Sequence, residues 1–395
     1  MLVPYLAALA AQAGPPGDWI IPAGTTVLYD TLAGPALVNK LVIETGATLR
    51  ILGPRPFVVV ATQEIQIDGT LNASGFDADD VFTLFTPHQP EIGAHGAAGG
   101  GQGGTGNPTP AADAKGGEGF WVVPPLGIVR AGGQGGEAGF EKPSGGGGGG
   151  GAFGPDVPGG RAGLVATAGG DGHPQGKGAL SGGAAPAQGG LPGPGAFQDT
   201  DPANDFWGRK RDPLTGGLIA GELGAPRPGA GGGAGGDGIG SDTFPPIQPG
   251  SYLDKIGAGG GGGGGLVVLL SDRIGVGATG AIRVDGGHGG SHASALGSEY
   301  VAGSSGGGSG GMLILQADLV DLSSAGADAL RAVGGIGGDD DGGTYAPASL
   351  SGGGNGGPGL IQIHVPSAAQ DLLLPAGTGL GDLSAPDAHV LLPEL

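Results

Sequence analysis

The chain contains no cysteine, which excludes a disulfide framework and any thiolate metal centre. Basic residues are scarce. Sixteen Lys and Arg stand against 36 Asp and Glu, a formal net charge of −20. Partners that need a basic face, nucleic acid and anionic membrane among them, are disfavoured on that ground. The one basic cluster, Arg209-Lys210-Arg211, stands beside Asp212 and reads as a solvated loop. No apolar stretch approaches the roughly 18 residues of a membrane-spanning helix. Helical signals are nearly absent too: only residues 2–11 and 325–332 support a turn or two.

What the sequence does have is glycine: 99 of 395 residues, with 33 prolines. Such a fraction without a period normally marks low complexity. Collagen is excluded, because the glycines come in runs and pairs rather than at every third position. Yet charged residues make up only 13% and mean hydropathy is slightly positive, unlike a disordered chain. The aliphatic residues are gathered into short runs, so the bulk figure averages two kinds of segment.

Four of these runs superimpose: FVVVATQEIQIDG from Phe57, LVVLLSDRIGVGA from Leu266, MLILQADLVDLSS from Met312 and LIQIHVP from Leu360. In the first three, an apolar strand is followed by a polar corner and a second short strand. The last three start 46 and 48 residues apart, a period that marks a repeat architecture. A further short strand then enters glycine in the form GGxGG, at Gly286–Gly290, Gly334–Gly338 and Gly132–Gly136. A glycine run precedes each following strand: residues 259–265, 306–311 and 352–359. Residues 25–75 carry the strands without the glycine, at roughly eight-residue spacing. The expected fold is all-β: a parallel β-solenoid, whose stacked copies bury one continuous core.

The glycine runs abut core strands, where a mobile tether would need no such neighbour. A glycine segment can be ordered in the three-per-turn polyproline II form if it packs against its own kind. Ordering costs on the order of 1–2 kcal/mol per residue, so a single run cannot stay ordered alone. Several held parallel by a solenoid can. The pattern aliphatic-Arg-x-x-GGxGG, glycine run, strand resembles the glycine-rich secreted repeat proteins of some bacterial surfaces. The loops are similar in kind to polyglycine II bundles of bacteriophage tail-tip adhesins. The resemblance implies a structural role and transfers no functional residues.

The domain expectation is a signal or cap segment at 1–13, N-terminal solenoid coils at 14–80, a glycine-rich insertion with sparse strands at 81–265, and C-terminal repeats with a tail at 266–395. Residues 2–10 are apolar and Ala11-Gln12-Ala13 fits a signal cleavage pattern.

Chemistry-bearing motifs are few. G-x-S-x-G at Ser305 and Ser309 lacks the strand and helix of a nucleophile elbow. His288 and His292 are four apart, but on no helix, and read as solvated. Asp339, Asp340 and Asp341 form the one metal candidate, a hard-cation and therefore calcium-type site. Gly334–Asp339 fits the first six places of a calcium-binding nonapeptide, and Asp341 then breaks the pattern. Asp77, Asp79 and Asp80 form a weaker cluster. The strands present Gln66, Asp68, Arg283, Asp285, Asp318 and Asp321, with no carboxylate pair recurring at a glycosidase spacing of about 5–9 Å. The expectation is a non-enzymatic, secreted or cell-surface structural or adhesive protein with no required cofactor. Its expected partners are copies of itself or surface glycans. The rivals are a carbohydrate-active or carbohydrate-binding β-helix and a calcium-dependent surface module. Gly208, taken as part of a solvated loop, is expected to tolerate alanine.

Overall fold

A computed structural model describes residues 17–79, 81–82, 92–106, 119, 121–123, 127–129, 148–153, 197, 202–212, 214–236, 257–293, 303–338 and 352–394. Strands β1 (Trp19–Ile21), β2 (Thr26–Asp30), β3 (Ala36–Ile43), β4 (Thr48–Leu52), β5 (Phe57–Ile67) and β6 (Thr70–Asn72) open the chain. The central segment holds β7 (Val81–Phe82), β8 (Trp121–Val123), β9 (Gly127–Val129), β10 (Arg209–Arg211) and β11 (Leu218–Ala220). Then come β12 (Leu266–Val276), β13 (Ala281–Arg283), β14 (His292–Ala293), β15 (Met312–Asp321) and β16 (Leu330–Arg331). The last are β17 (Leu360–His364), β18 (Leu372–Leu373), β19 (Ser384–Ala385) and β20 (His389–Leu391). Among the described residues there is no α-helix, only three short 3-10 turns.

Two parallel sheets organise these strands. The first has eight strands in the order β1-β3-β5-β12-β15-β17-β20, with β18 beside β15. The second has six, β2-β4-β6-β13-β16-β19. The chain passes from one sheet to the other and back, so each sheet grows in chain order. The central segment leaves after β6 and returns at β12, which pairs directly with β5: Phe57 lies beside Val267.

Rows of like residues cross both sheets, because parallel pairing places equivalent positions side by side. Ala36, Val59, Leu269, Leu315, Ile363 and Val390 form one such row. Val27, Leu49, Leu71, Ile282 and Leu330 form another on the second sheet. Both rows turn inward and belong to one apolar core between the sheets.

The uninterrupted apolar runs have a separate cause. At their N-terminal ends, strands β5, β12, β15 and β17 are covered on the outer face as well. Val58, Val268, Ile314 and Leu360 pack there against Phe153, Phe197 and Leu223 from the central segment, with Trp207 partly buried alongside. A strand buried on both faces has no polar alternation to show.

Two local expectations are corrected. The polar corner does not divide the long strands: β5, β12 and β15 continue through it for 11, 11 and 10 residues. Thr62-Gln63 and Asp272-Arg273 are consecutive exposed residues within a strand. One-residue register shifts fall between Val38 and Lys40 and between Leu270 and Arg273. Such a bulge takes up the odd residue and returns the apolar side chains to the core. Residues 325–332 form no helix. Ala325, Ala329, Leu330 and Ala332 are buried in the core as turn and strand residues, and so short a helix would not offset its nucleation cost.

Candidate functional site

Glycine segments continue both sheets beyond the strands. Around residues 303–311 the backbone amides repeat with a period of three. Gly303, Gly306 and Ser309 donate to the carbonyls of Gly236, Gly233 and Ala230. Ser305, Gly308 and Gly311 donate to Gly290, Gly287 and Val284. Gly307 and Gly310 donate to Gly354 and Gly357. The carbonyls follow the same period. Those of Gly303, Gly306 and Ser309 accept from Ala258, Gly261 and Gly264. Those of Ser305 and Gly308 accept from Gly338 and Gly335, and those of Ser304 and Gly307 from Gly148 and Gly151. Every one of these bonds measures 2.7–3.2 Å.

Residues 303–311 thus bond outward to six surrounding segments. A β-strand bonds to two sides with a period of two, and an α-helix bonds within itself. Bonding in three directions every three residues needs three residues per turn. Residues 257–265 are surrounded in the same way. Gly260 and Gly263 donate to Gly104 and Gly101, Gly262 and Gly265 to Phe76 and Ala73, and Gly287 and Gly290 donate back to Gly262 and Gly259.

Only glycine lets these backbones approach so closely. A Cβ on Gly262 would fall on the carbonyl oxygen of His95, and one on Gly308 would fall on that of Gly262. Three serines enter nonetheless: Ser304, Ser305 and Ser309 are fully buried. The Ser305 hydroxyl donates to the Gly259 carbonyl and accepts the Gly290 amide at 2.7 Å. The Ser309 hydroxyl accepts the Ala230 amide at 2.8 Å. Ser305 and Ser309 each add a side-chain bond between neighbouring segments.

The two ends of the sheets differ. At the far end the hairpin β10–β11 lies alongside β20, where the Leu392 amide donates to the Arg209 carbonyl at 2.8 Å. Arg209 Nε pairs with Glu394 Oε1 at 2.7 Å, and Lys210 lies 4.7 Å over the Phe206 ring. The His364 Nδ1 donates to the Leu392 carbonyl at 2.7 Å, and the Trp207 ring packs on its imidazole. Burial pushes the imidazoles of His364 and His389 below the usual histidine range, His389 to about 4. At the near end, among the described residues, β1 pairs only with β3 and β2 only with β4.

One ion-pair ladder crosses the solvent face of the first sheet. Arg273 reaches Glu64 at 3.2 Å and Asp321 at 2.8 Å, and Lys40 meets Glu64 at 3.7 Å. The Ser323 hydroxyl and Arg273 hold the Asp321 carboxyl below its ordinary value.

Of the sequence candidates, Asp339, Asp340 and Asp341 lie outside the described residues, as does the GGxGG copy at residues 132–136. Among the described residues no group of three or more His, Asp or Glu is placed to hold a metal ion. Asp77 Oδ1 accepts the His288 amide at 2.7 Å, and His288 Nδ1 accepts the Ile336 amide at 2.9 Å. Asp80 and the side chain of His292 fall outside the described residues. Asp285 Oδ1 accepts the Val333 amide at 2.9 Å, and burial raises its carboxyl. Gln66 Nε2 donates to Asp68 Oδ1 at 2.8 Å. The basic cluster is not a loop: Arg209, Lys210 and Arg211 form β10, because their backbone pairs with Leu218–Ala220. Gly208 is not in open solvent either. It has φ +102°, and a Cβ there would meet Glu394 Cγ at 2.9 Å. Sequence reasoning also missed the buried Gln362 and His364. Their one signal was a polar pair inside an otherwise aliphatic strand.

Among described residues no helix is long and apolar enough to cross a membrane. No protein family, curated protein or solved structure matches the chain.

Proposed function

We propose that the protein is a non-enzymatic structural or adhesive scaffold of the cell exterior. In this reading the two sheets are the faces of a short parallel β-solenoid, and the glycine segments form a polyglycine II bundle aligned by its strands. The observation that carries it is the three-residue hydrogen-bond period around residues 303–311. A lattice of this kind spends its side-chain positions on backbone packing and leaves a broad, rigid body. Strand order rising together in both sheets supports the solenoid. The net charge of −20 suits a soluble body in a crowded exterior. The partners of such a scaffold are further copies of itself or surface glycans.

Location tests this reading. Antibodies against the purified protein should label intact cells of the source organism or capture the protein from its culture medium. Recovery only from lysed cytosol would overturn the exterior role.

A further inference from the structure

Nine large hydrophobic side chains are exposed among the described residues, and six of them stand at the two ends of the sheets. Ile20, Leu28 and Leu32 lie on or beside the edge strands β1 and β2, at 51%, 65% and 57% exposure. Leu214, Leu218 and Leu373 lie at the opposite end, the first two on the hairpin β10–β11 at 94% and 58%. An edge strand with unpaired amides and exposed apolar side chains is a template for another strand.

The hairpin and the β1–β2 edge carry opposite charges, although the chain bearing the strands behind the hairpin is acidic. Residues 17–39 contain Asp18 and Asp30 and no Lys or Arg; Asp30 Oδ1 accepts the Leu32 amide at a turn, and Asp18 is exposed. The hairpin carries Arg209, Lys210 and Arg211, the only run of three cations in the chain. Its one carboxylate, Asp212, is occupied by the turn, accepting from the amides of Leu214 and Thr215 and the Thr215 hydroxyl. Arg209 is paired with Glu394, which leaves Arg211 exposed beside Leu218, its partner across the hairpin.

Resting on the scaffold reading above, we propose that the protein assembles head to tail with a second copy of itself. The hairpin β10–β11 of one copy docks on the open β1–β2 edge of the next. The two surfaces are different, so the contact is heterologous: it leaves a free hairpin at one end and a free edge at the other, and the assembly grows. Leu214 and Leu218 meet Ile20 and Leu28, and Arg211 meets the acidic edge.

The absence of native cysteine makes the test direct. In the full chain, Ile20→Cys and Leu218→Cys together should give a ladder of covalent multimers on mild oxidation, while each single variant stays monomeric on a denaturing gel. Arg211→Glu should weaken association of the otherwise unmodified chain several-fold in sedimentation experiments, and added salt should do the same. Dimers from Ile20→Cys alone would show that like ends meet and would overturn the proposal. A wild-type chain that stays monomeric at every concentration would overturn it too. Protection of the Ile20 and Leu28 amides in that monomer would assign the edge to residues 1–16 instead. Either failure leaves the exterior scaffold standing or falling on cell labelling alone.

Discussion

The carbonyl oxygen of His95 occupies the space where a side chain on Gly262 would begin. The obstacle is backbone whose carbonyl accepts the Phe76 amide at 2.9 Å, so it can give way only by losing that bond. Gly262→Ala is therefore expected to destabilise by about 1–3 kcal/mol, the range of overpacked cores. That is opposite in sign to the gain an alanine brings at an unconstrained glycine. Gly17→Ala is the control, since nothing lies within 4 Å of its Cβ position; it should stay within about 0.5 kcal/mol. Urea unfolding of both variants decides the matter, and equal small shifts would show that the glycines are tethers.

Amide exchange gives a second test. The amides of Ser305 through Gly311 all donate to carbonyls of other segments. They should exchange as slowly as Met312–Leu315, because opening any of them means parting several segments at once. Exchange of 305–311 within seconds, with 312–315 still protected, would leave a pair of sheets with mobile loops.

Ser305 joins three segments through one hydroxyl. Its removal in Ser305→Ala strips the Gly290 amide of a 2.7 Å acceptor in a fully buried place. The amide then keeps only its longer, 3.4 Å bond to the Gly259 carbonyl, and the expected loss is about 1 kcal/mol, the net worth of one hydrogen bond. Ser305→Gly should lose about as much, since it lacks the same hydroxyl. A glycine variant as stable as the parent would show that the serine is merely tolerated by the lattice.

Much of this arrangement could be read from spacing. Leu266, Met312 and Leu360 stand 46 and 48 residues apart, and these are the residues placed side by side in β12, β15 and β17. The glycine runs and the GGxGG stretches at 286–290 and 334–338 likewise mark segments that bond to one another. What could not be read depends on partners remote in sequence. Val58 and Val268 looked like ordinary core, yet they face outward, under Phe153 and Phe197, and nothing local announces that cover. Arg209–Arg211 looked like a loop because a strand made of three cations is disfavoured by itself; its pairing with Leu218–Ala220 makes it a strand, in which Arg209 and Arg211 stay exposed. The polar middle of β5 looked like a corner because the bulge there exposes Thr62 and Gln63 in succession, as a turn does.

Stability at the capped end should depend on pH through His389. Burial, with Lys210 adding to it and Asp387 opposing, lowers its imidazole to about 4. An unfolded histidine titrates near 6.5. Between those values the unfolded chain takes up the proton first, so stability is full above about pH 6.5 and is lost as pH falls towards 4. At roughly 1.4 kcal/mol per pH unit for one proton, the loss across the window is on the order of 3 kcal/mol. His364 is lowered in the same direction and adds to it. Asp285 opposes: its carboxyl is raised by burial, so it contributes stability as pH falls. Comparing His389→Gln with the parent separates these effects, because the substitution leaves His364 and Asp285 in place. Urea unfolding at pH 7.5 and pH 5 should show a smaller drop in the variant than in the parent. The difference should be accompanied by lower protection of the amides of 389–392 and 209–211, each rate taken relative to intrinsic exchange at that pH, in the parent at the lower pH, since the Leu392–Arg209 bond ties those strands together. Identical pH slopes for the two proteins would mean that the His389 imidazole is as well solvated in the folded chain as in the unfolded one, and the buried cap would then be wrong.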